Sequence, residues 1–590
     1  MLFGKSVNRY YFKYWYFFLM GAIALVVVDI AQMEIPNITG YIIDEITTKT
    51  LTYDYLVKNI LNFAIIIVIM FFGRFFWRMN IFNCGHLIAN DLRQRMFKKM
   101  EYLDQTYFNE NKTGAQMALY TNDLMIVRQC FSQSIMMLVD AVFLGILAFA
   151  KMFMLNKVLA LLAAAPLLLL AVLGILVSKY MRQKWEARQK AYSDLSDFAQ
   201  ENFSGFGVVK AFVKETKELI AFNRLNRNNQ NKNLEHARLS VLVSICVSLL
   251  ISSIIILIGG VGSYLVYLTN TTDVYYMSLG DLNRYISYFS SLVWPMMALS
   301  NLITISAQGK ASLQRIDTVL KRDSLVKDAK DVIKGANLEG KIEFKNLTFT
   351  YPGVDEPTIK DMSFVIEKGE AVGIIGRTGS GKSTIVDLLV RLYNVEEGSV
   401  FIDDFDIMKL PIKDVRELIS FVPQDNFLFS DTILNNIAFS KEKLSLEEAR
   451  KHAKVAGVDG DVMEFPEQYE TVMGERGVTL SGGQKQRISI SRALAKDSKV
   501  LILDDSVSAV DTKTEATILN NLKQMHGEKT LIIIAHRVST IQNLDKIILV
   551  DDGKVVSIGK HDELYENVPM YRDIVDLQKL EDQEHEVIPC

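Results

Sequence analysis

The sequence predicts an α-helical membrane domain of six spanning helices followed by an α/β domain built on a phosphate-binding loop. Three observations carry this prediction. Half of the 590 residues are apolar and almost a quarter are charged, which points to separate lipid-facing and water-facing parts. Up to Ile305 the apolar residues gather into six runs, each long enough for a bilayer, which takes about 20 residues. From Lys341 onward, short strand-like runs alternate with helical ones, the pattern of an α/β domain.

The length exceeds what one core supports, and the pattern divides it into a membrane domain (1–320), a charged linker (321–340), an α/β domain (341–580) and a C-terminal tail (581–590). A net charge of −3 gives no support to nucleic-acid binding, which favours a basic surface. Cys84, Cys130, Cys246 and Cys590 have neither metal-like nor disulfide-like spacing and read as reduced bystanders.

The six spans are Tyr14 to Ile35, Ile60 to Met79, Ser134 to Leu155, Val158 to Lys179, Ser240 to Leu268 and Leu279 to Ile305. The first follows Lys5, Arg9 and Lys13 as a signal peptide does. It lacks a small-residue cleavage site and is too long, so an uncleaved helix is expected. Spans three and four are joined by Asn156-Lys157 alone, whereas polar stretches 80–133 and 180–239 separate spans two and three and spans four and five. The second stretch is rich in Arg182, Lys184, Arg188, Lys190, Arg224 and Arg227. Basic loops stay inside, which places both stretches, both termini and the α/β domain in the cytoplasm. Helical apolar spacing in DLRQRMFKKMEYL and ARQKAYSDLSDFAQENF predicts that the spans continue as helices into the cytoplasm. Two tips, Phe108 to Asp123 and Glu201 to Phe212, read as turns or short crosswise helices.

Ionisable residues inside spans are costly. Arg74 and Arg78 are expected to snorkel inward, and Glu34, before Pro36, to face outer water. Asp29 and Asp140 lie deeper and are expected to face a polar cavity or a buried partner. Trp294-Pro295 predicts a kink or freed carbonyls in the sixth span.

In the second half, the strand Glu370 to Gly376 is followed by RTGSGKS and a helical run. Gly376-x-x-x-x-Gly381-Lys382-Ser383 thus has the strand-to-helix context of a phosphate-binding loop. Gly376, Arg377, Thr378, Gly379, Ser380 and Gly381, continuing into Thr384, are expected to cradle nucleotide phosphates with backbone N–H groups. Lys382 then reaches the terminal phosphates, and the Ser383 hydroxyl can ligate magnesium. A second buried strand begins at Val500 and ends on Asp504 and Asp505, then turns to Asp511. In phosphate-handling folds the first such acid is associated with magnesium and the second activates water.

Between them lies LSGGQ, Leu480 to Gln484, followed by KQRISISRAL. This order of motifs resembles the ATP-binding cassette (ABC) superfamily, and six spans followed by one cassette resembles its half-size exporters. The resemblance implies that Tyr351 stacks on adenine, that Gln424 senses magnesium and the γ-phosphate, and that His536 contacts the γ-phosphate. It implies further that Ser481, Gly482, Gly483 and Gln484 serve a partner's ATP and that Asp511 ends a loop facing the opposite cassette. TVMGERG, Thr471 to Gly477, looks like the contact for the cytoplasmic tips, which resemble coupling helices. LYTND departs from the serine-arginine usual near the first tip.

The family function so implied is an ATPase of the bacterial plasma membrane that exports a hydrophobic or amphipathic drug-like or lipid-like molecule by alternating access. Its cofactors are ATP and Mg²⁺, and membrane lipid surrounds it. One cassette cannot complete a site, so a second half-transporter is required. The family normally has glutamate where this chain has Asp505, one methylene shorter. A base must lie within about 2.6–3.2 Å of its proton, so slow hydrolysis on this chain's own loop is expected. With an intact LSGGQ, this resembles the degenerate-site half of heterodimeric bacterial multidrug exporters. A homodimeric lipid or peptide exporter and a regulatory, non-pumping subunit stay open as alternatives.

Overall fold

The computed structural model describes residues 8–271, 277–441, 443–474, 480–524 and 527–587, with 8, 164–176, 178–179, 300 and 581–587 described by backbone alone. The chain forms two units, one of Met1–Met100 with Gly114–Lys321, the other of Glu101–Thr113 with Arg322–Cys590.

The first unit is carried by long helices: α1 Trp15–Thr48, α2 Tyr53–Met100, α3 Thr113–Leu155, α4 Lys157–Ser204, α5 Glu215–Thr271 and α6 Leu279–Lys321. All but α4 are long and apolar enough, among the described residues, to cross a membrane. The fourth expected span lies in α4, mostly on residues described by backbone alone. A span takes about 20 residues, whereas α2, α4 and α5 have 48, 48 and 57, so these helices continue far past a bilayer. Their polar ends have the apolar spacing that predicted this.

Local chemistry sets the joints. Asn156 caps α4 by accepting from the backbone N–H groups of Val158 and Leu159 at 3.0 and 3.1 Å. The first helix does not end near Ile35 but runs through Pro36 to Thr48; within it the Thr39 hydroxyl donates to the carbonyls of Ile35 and Pro36 at 3.2 and 3.0 Å. α6 likewise runs through Pro295. π-helical turns at Leu119–Asp123 and Cys130–Ser134 interrupt α3. The first aims Asp123 at Arg315 of α6, with Nε to Oδ2 at 2.9 Å.

α4 and α5 pack chiefly along each other, while α1, α2, α3 and α6 form the other bundle. Tyr285, Tyr288, Phe289, Met33 and Met152 fill a buried core between helices. Glu34 does not simply face water: Lys151 Nζ lies 2.9 Å from its carboxylate, and Asn37 donates to it at 2.8 Å. Arg74 extends to Gln32 at 3.4 Å. Asp29 and Asp140 are buried, as the partner alternative anticipated. Cys84 and Cys130 are free and buried, and Cys246 is free and exposed.

The second unit contains two sheets. Strands β1 Ile342–Phe349, β2 Ile359–Ile366, β3 Ala371–Gly376, β4 Val400–Ile402, β5 Phe405–Asp406, β6 Ile419–Val422, β7 Val500–Asp504, β8 Thr530–Ile534, β9 Lys546–Asp551 and β10 Lys554–Gly559 are ordered β2-β1-β4-β5 and β10-β9-β3-β8-β7-β6. The first sheet is antiparallel; in the second only β10 runs against its neighbour. Side chains alternate across a strand, and both faces of the larger sheet are buried. Val500, Ile502, Ile532 and Ile534 enter one core, and Leu501, Leu503, Leu531 and Ile533 the other. This is why these strands read as unbroken apolar runs.

Candidate nucleotide site

Parallel pairing decides where the chemistry collects. β3, β8, β7 and β6 are successive neighbours, with Ile374 opposite Ile534, Asp504 opposite Ile534 and Leu503 opposite Val422. Their carboxyl ends share one edge, the place where open α/β sheets bind ligands. The loop after Gly376, the Asp504-Asp505 pair, Gln424 two residues past β6 and His536 two residues past β8 therefore come to the same edge.

The loop needs its glycines. A side chain at Gly376 would run into the backbone carbonyl of Val550, and Gly381, at φ +97°, holds a left-handed conformation that only glycine adopts freely. Helix α7, Lys382–Leu389, starts directly after it, so the first N–H groups of α7 face the loop. Lys382 is buried and donates to the carbonyls of Gly376 and Arg377 at 2.9 and 2.8 Å. Burial pulls its pKa down, against the charges of Asp504 and Asp505. The Ser380 hydroxyl is buried and has no hydrogen-bond partner among the described residues. Arg377, Thr378 and Gly379 are exposed along the rim.

Asp504 is buried, which pushes its carboxyl up, while a hydrogen bond from the exposed Ser383 pulls it down. Charge from Asp505 pushes in the first direction, and Lys382 and His536 in the second, so all four groups are within electrostatic reach of one carboxylate. Asp505 has a left-handed backbone, φ +47°, fixed by its N–H to the Ile534 carbonyl at 2.9 Å. Gln424 and His536 are exposed.

Tyr351 is joined to α7 through Thr384, hydroxyl to hydroxyl at 3.0 Å. Its ring meets Phe349 and Tyr393 edge-on at centroid distances of 5.0 and 5.1 Å, and burial pushes its phenol up to about 12. Tyr393 in turn accepts from Asn109 Nδ2 at 2.9 Å. Asn109 belongs to the short helix Gln105–Glu110, capped by Asp104, in the first expected tip.

The LSGGQ residues are arranged differently. Ser481 caps α8, Gly482–Ala495, in a reciprocal box with Gln484: the Ser481 hydroxyl accepts from the Gln484 N–H at 3.2 Å and the Gln484 side-chain oxygen from the Ser481 N–H at 3.0 Å. Gly482 lies exposed beside them. Gly483 lets α8 approach the turn after β7, where a Cβ would sit 2.9 Å from the Ala509 carbonyl. That turn ends on Asp511, which caps α9, Thr512–Lys523, by accepting from the Thr514 N–H at 3.0 Å. Thr471, Val472 and Met473 pair by backbone with Ile433, Thr432 and Asp431, and 475–477 lie outside the described residues.

Two residues escaped the sequence reading. Gln486 accepts from Ala509 N–H at 3.1 Å and reaches the Asp505 carbonyl at 3.5 Å, bracing the turn behind the acid pair. Arg492 donates to the carbonyls of Asn436 and Phe427 at 2.9 and 2.8 Å, holding the segment that follows Gln424. Both lie on α8 in the quoted run KQRISISRAL; their polar side chains within a helix whose other residues are mostly buried were the available signal.

Residues 18–296 match the family model of the ABC transporter transmembrane region, and residues 359–508 that of the ABC transporter cassette. The chain is 33% identical over 579 residues to the probable multidrug resistance ABC transporter ATP-binding/permease protein YheI of Bacillus subtilis, covering 98% of this chain and 97% of that one. It is 32% identical over 577 residues to the multidrug resistance-like ATP-binding protein MdlA of Escherichia coli, covering 98% and 96%. Similarity to the ATP-dependent lipid A-core flippase of Pseudoalteromonas translucida is 33% over 497 residues, 84% of each chain. In fold it matches a bacterial Atm1-family ABC exporter solved with ATP bound, at a TM-score of 0.76 and 24% identity, covering 95% and 98%. With a family-matched membrane domain, a family-matched cassette and relatives spanning its whole length, the chain belongs to the ABC transporters, as an exporter-type half-transporter, multi-pass in the membrane, whose cytoplasmic cassette is an ATPase coupled to transport.

Proposed function

We propose that this chain is one half of a heterodimeric pump that exports a hydrophobic or amphipathic small molecule by alternating access, and that the ATP site on its own phosphate loop hydrolyses slowly. The observation that carries the reading is Asp505. A misplacement of about 1 Å costs on the order of 10²-fold in rate, and an aspartate base falls short of a glutamate's reach. Its backbone N–H is held by the Ile534 carbonyl, so the carboxylate starts from a fixed point and ends one methylene short of a glutamate's.

Binding is a separate matter, and the residues present fit it. The unpartnered Ser380 hydroxyl, the loop N–H groups, the N-terminus of α7 and Lys382 suit phosphates. Thr384 positions Tyr351 for the base. Magnesium is held by few protein oxygens together with phosphate, and Ser383 with the buried Asp504 supplies such oxygens beside Gln424. Bound there, the ion neutralises developing phosphate charge. His536 contributes a polar contact at the γ-phosphate end, and Asp505 orients water without removing its proton efficiently.

Two features support a second chain. Ser481 and Gly482 are exposed at the start of α8, ready for a nucleotide on another cassette. The second tip carries Phe203, Phe206, Val208 and Phe212 at high exposure. The names of the multidrug and flippase relatives support the substrate class.

The test is ATPase of the purified chain alone and with the second half-transporter. Low turnover alone, high turnover together and at least a tenfold gain in the weak site from Asp505→Glu are expected. Robust turnover by the chain alone counts against the proposal and favours an active homodimer.

A further inference from the structure

β8 ends at Ile534, and the chain then bends through Ala535, His536 and Arg537 into a short helix, α10 Val538–Ile541. A helix start leaves N–H groups without partners inside the helix, and the side chain of the cap residue ordinarily meets one of them. Arg537, at the cap position, makes no such bond among the described residues. The partner comes instead from the C-terminal helix, α11 Pro569–Val587. Gln578 Oε1 accepts from the Val538 N–H at 2.8 Å, and Gln578 Nε2 donates to the His536 carbonyl at 2.6 Å. One amide thus holds the main chain on both sides of Arg537. The pairing also fixes which way that amide faces, since only its oxygen can accept and only its nitrogen can donate.

The sequence of α11 brings the amide there. Tyr571 and Val575, 0% and 3% exposed, enter the same core as Val538 and Ile541 of α10. Residues three and four apart share a helix face, so Gln578 lies on the face that Tyr571 and Val575 bury. The two ends of the bend are anchored elsewhere. Before it, the Ala535 N–H bonds to the Ile374 carbonyl of β3 at 3.2 Å. After it, the Thr540 hydroxyl donates to the buried Glu515 of α9, the helix that Asp511 caps. The middle of the bend, which carries the exposed His536, is held by Gln578. A side chain that meets a reacting phosphate must be aimed closely, because a misplacement of about 1 Å costs on the order of 10²-fold in rate.

We infer that Gln578 is the positioning residue of His536: from the C-terminal helix it sets the backbone from which the imidazole reaches the γ-phosphate of a nucleotide on this chain's loop. The role rests on the His536 contact proposed above and adds the C-terminal helix to the nucleotide site.

The test uses the full-length dimer in lipid nanodiscs with Mg²⁺. Azido-ATP labels each chain, an affinity tag separates the chains, and two nucleotides compete. AMP-PNP keeps a γ-phosphate and resists hydrolysis; ADP lacks the γ-phosphate. On this chain Gln578→Ala and Gln578→Met, the second matched in length, are expected to weaken AMP-PNP about fivefold and to leave ADP unchanged. His536→Ala gives the same loss, and the double variant with Gln578→Ala loses no more than either alone. ADP competition reports that each variant is folded. Unchanged AMP-PNP affinity in the Gln578 variants, with a loss in His536→Ala, overturns this inference alone. So does an equal loss of ADP, which marks a role in folding only, or an additive loss in the double variant. Unchanged AMP-PNP affinity in His536→Ala overturns the proposed γ-phosphate contact and the positioning role with it. Turnover of the dimer is a separate readout, so fast or slow hydrolysis on this chain leaves the competition result standing.

Discussion

At Gly376 the carbonyl of Val550 occupies the place of a side chain, so Gly376→Ala forces β3 and β9 apart. A loss of about 1–3 kcal/mol is expected, read as a lower thermal midpoint, together with lost ATP binding. Asp387, behind the loop, gives a pH-dependent companion. Burial, and then the charge of Asp504, raise its carboxyl from 3.8 to about 6, against a hydrogen bond from Tyr351. The folded cassette therefore keeps a proton that the unfolded chain has already released, and stability falls as pH climbs through that window. Asp387→Asn is expected to flatten the dependence of the thermal midpoint between about pH 4 and pH 7. Single residues were the most legible scale, because a loop that binds phosphate leaves its glycines, lysine and hydroxyls in fixed order. The turn after Asp504 was legible only as a sequence of small residues. That it depends on Gln486, nineteen residues upstream of Asp505, is a tertiary fact with no local signature.

Elements carry their own predictions. Asp104 caps the helix Gln105–Glu110 and also accepts from the Ser324 hydroxyl at 3.1 Å and from the Leu325 N–H, so Asp104→Ala removes a cap and two further bonds. A cap alone is worth about 1 kcal/mol; a loss of about 2 kcal/mol is expected, measurable by denaturant unfolding, with ATP-driven transport falling more than basal hydrolysis. The membrane helices were legible from hydropathy and their extensions from helical spacing, since both depend on local pattern. Their ends were not. Hydropathy ended the first span at Ile35, whereas α1 continues to Thr48, because backbone hydrogen bonding does not depend on apolar side chains. Glu34 was read as water-facing because Lys151, 117 residues away, is invisible to any local window.

For the whole molecule, the order of spans and motifs sufficed to place a membrane unit before a cassette, because each part follows a strong periodicity of its own. What that order did not reveal is that Glu101–Thr113 belongs with the cassette unit, a matter of contacts such as Asn109 to Tyr393. The second tip makes the prediction at this scale. Phe206, Phe212 and Val213 are 55%, 69% and 79% exposed. Phe206→Asp is expected to reduce co-purification of the second half-transporter and to abolish transport, while nucleotide binding by the chain persists. The same exposed knob bears on the life of the chain in a cell. On the proposed two-chain reading, a copy without its partner displays the kind of apolar patch that chaperones and proteases recognise, and it is expected to be degraded faster than a paired one, as a pulse-chase with and without the second half would report.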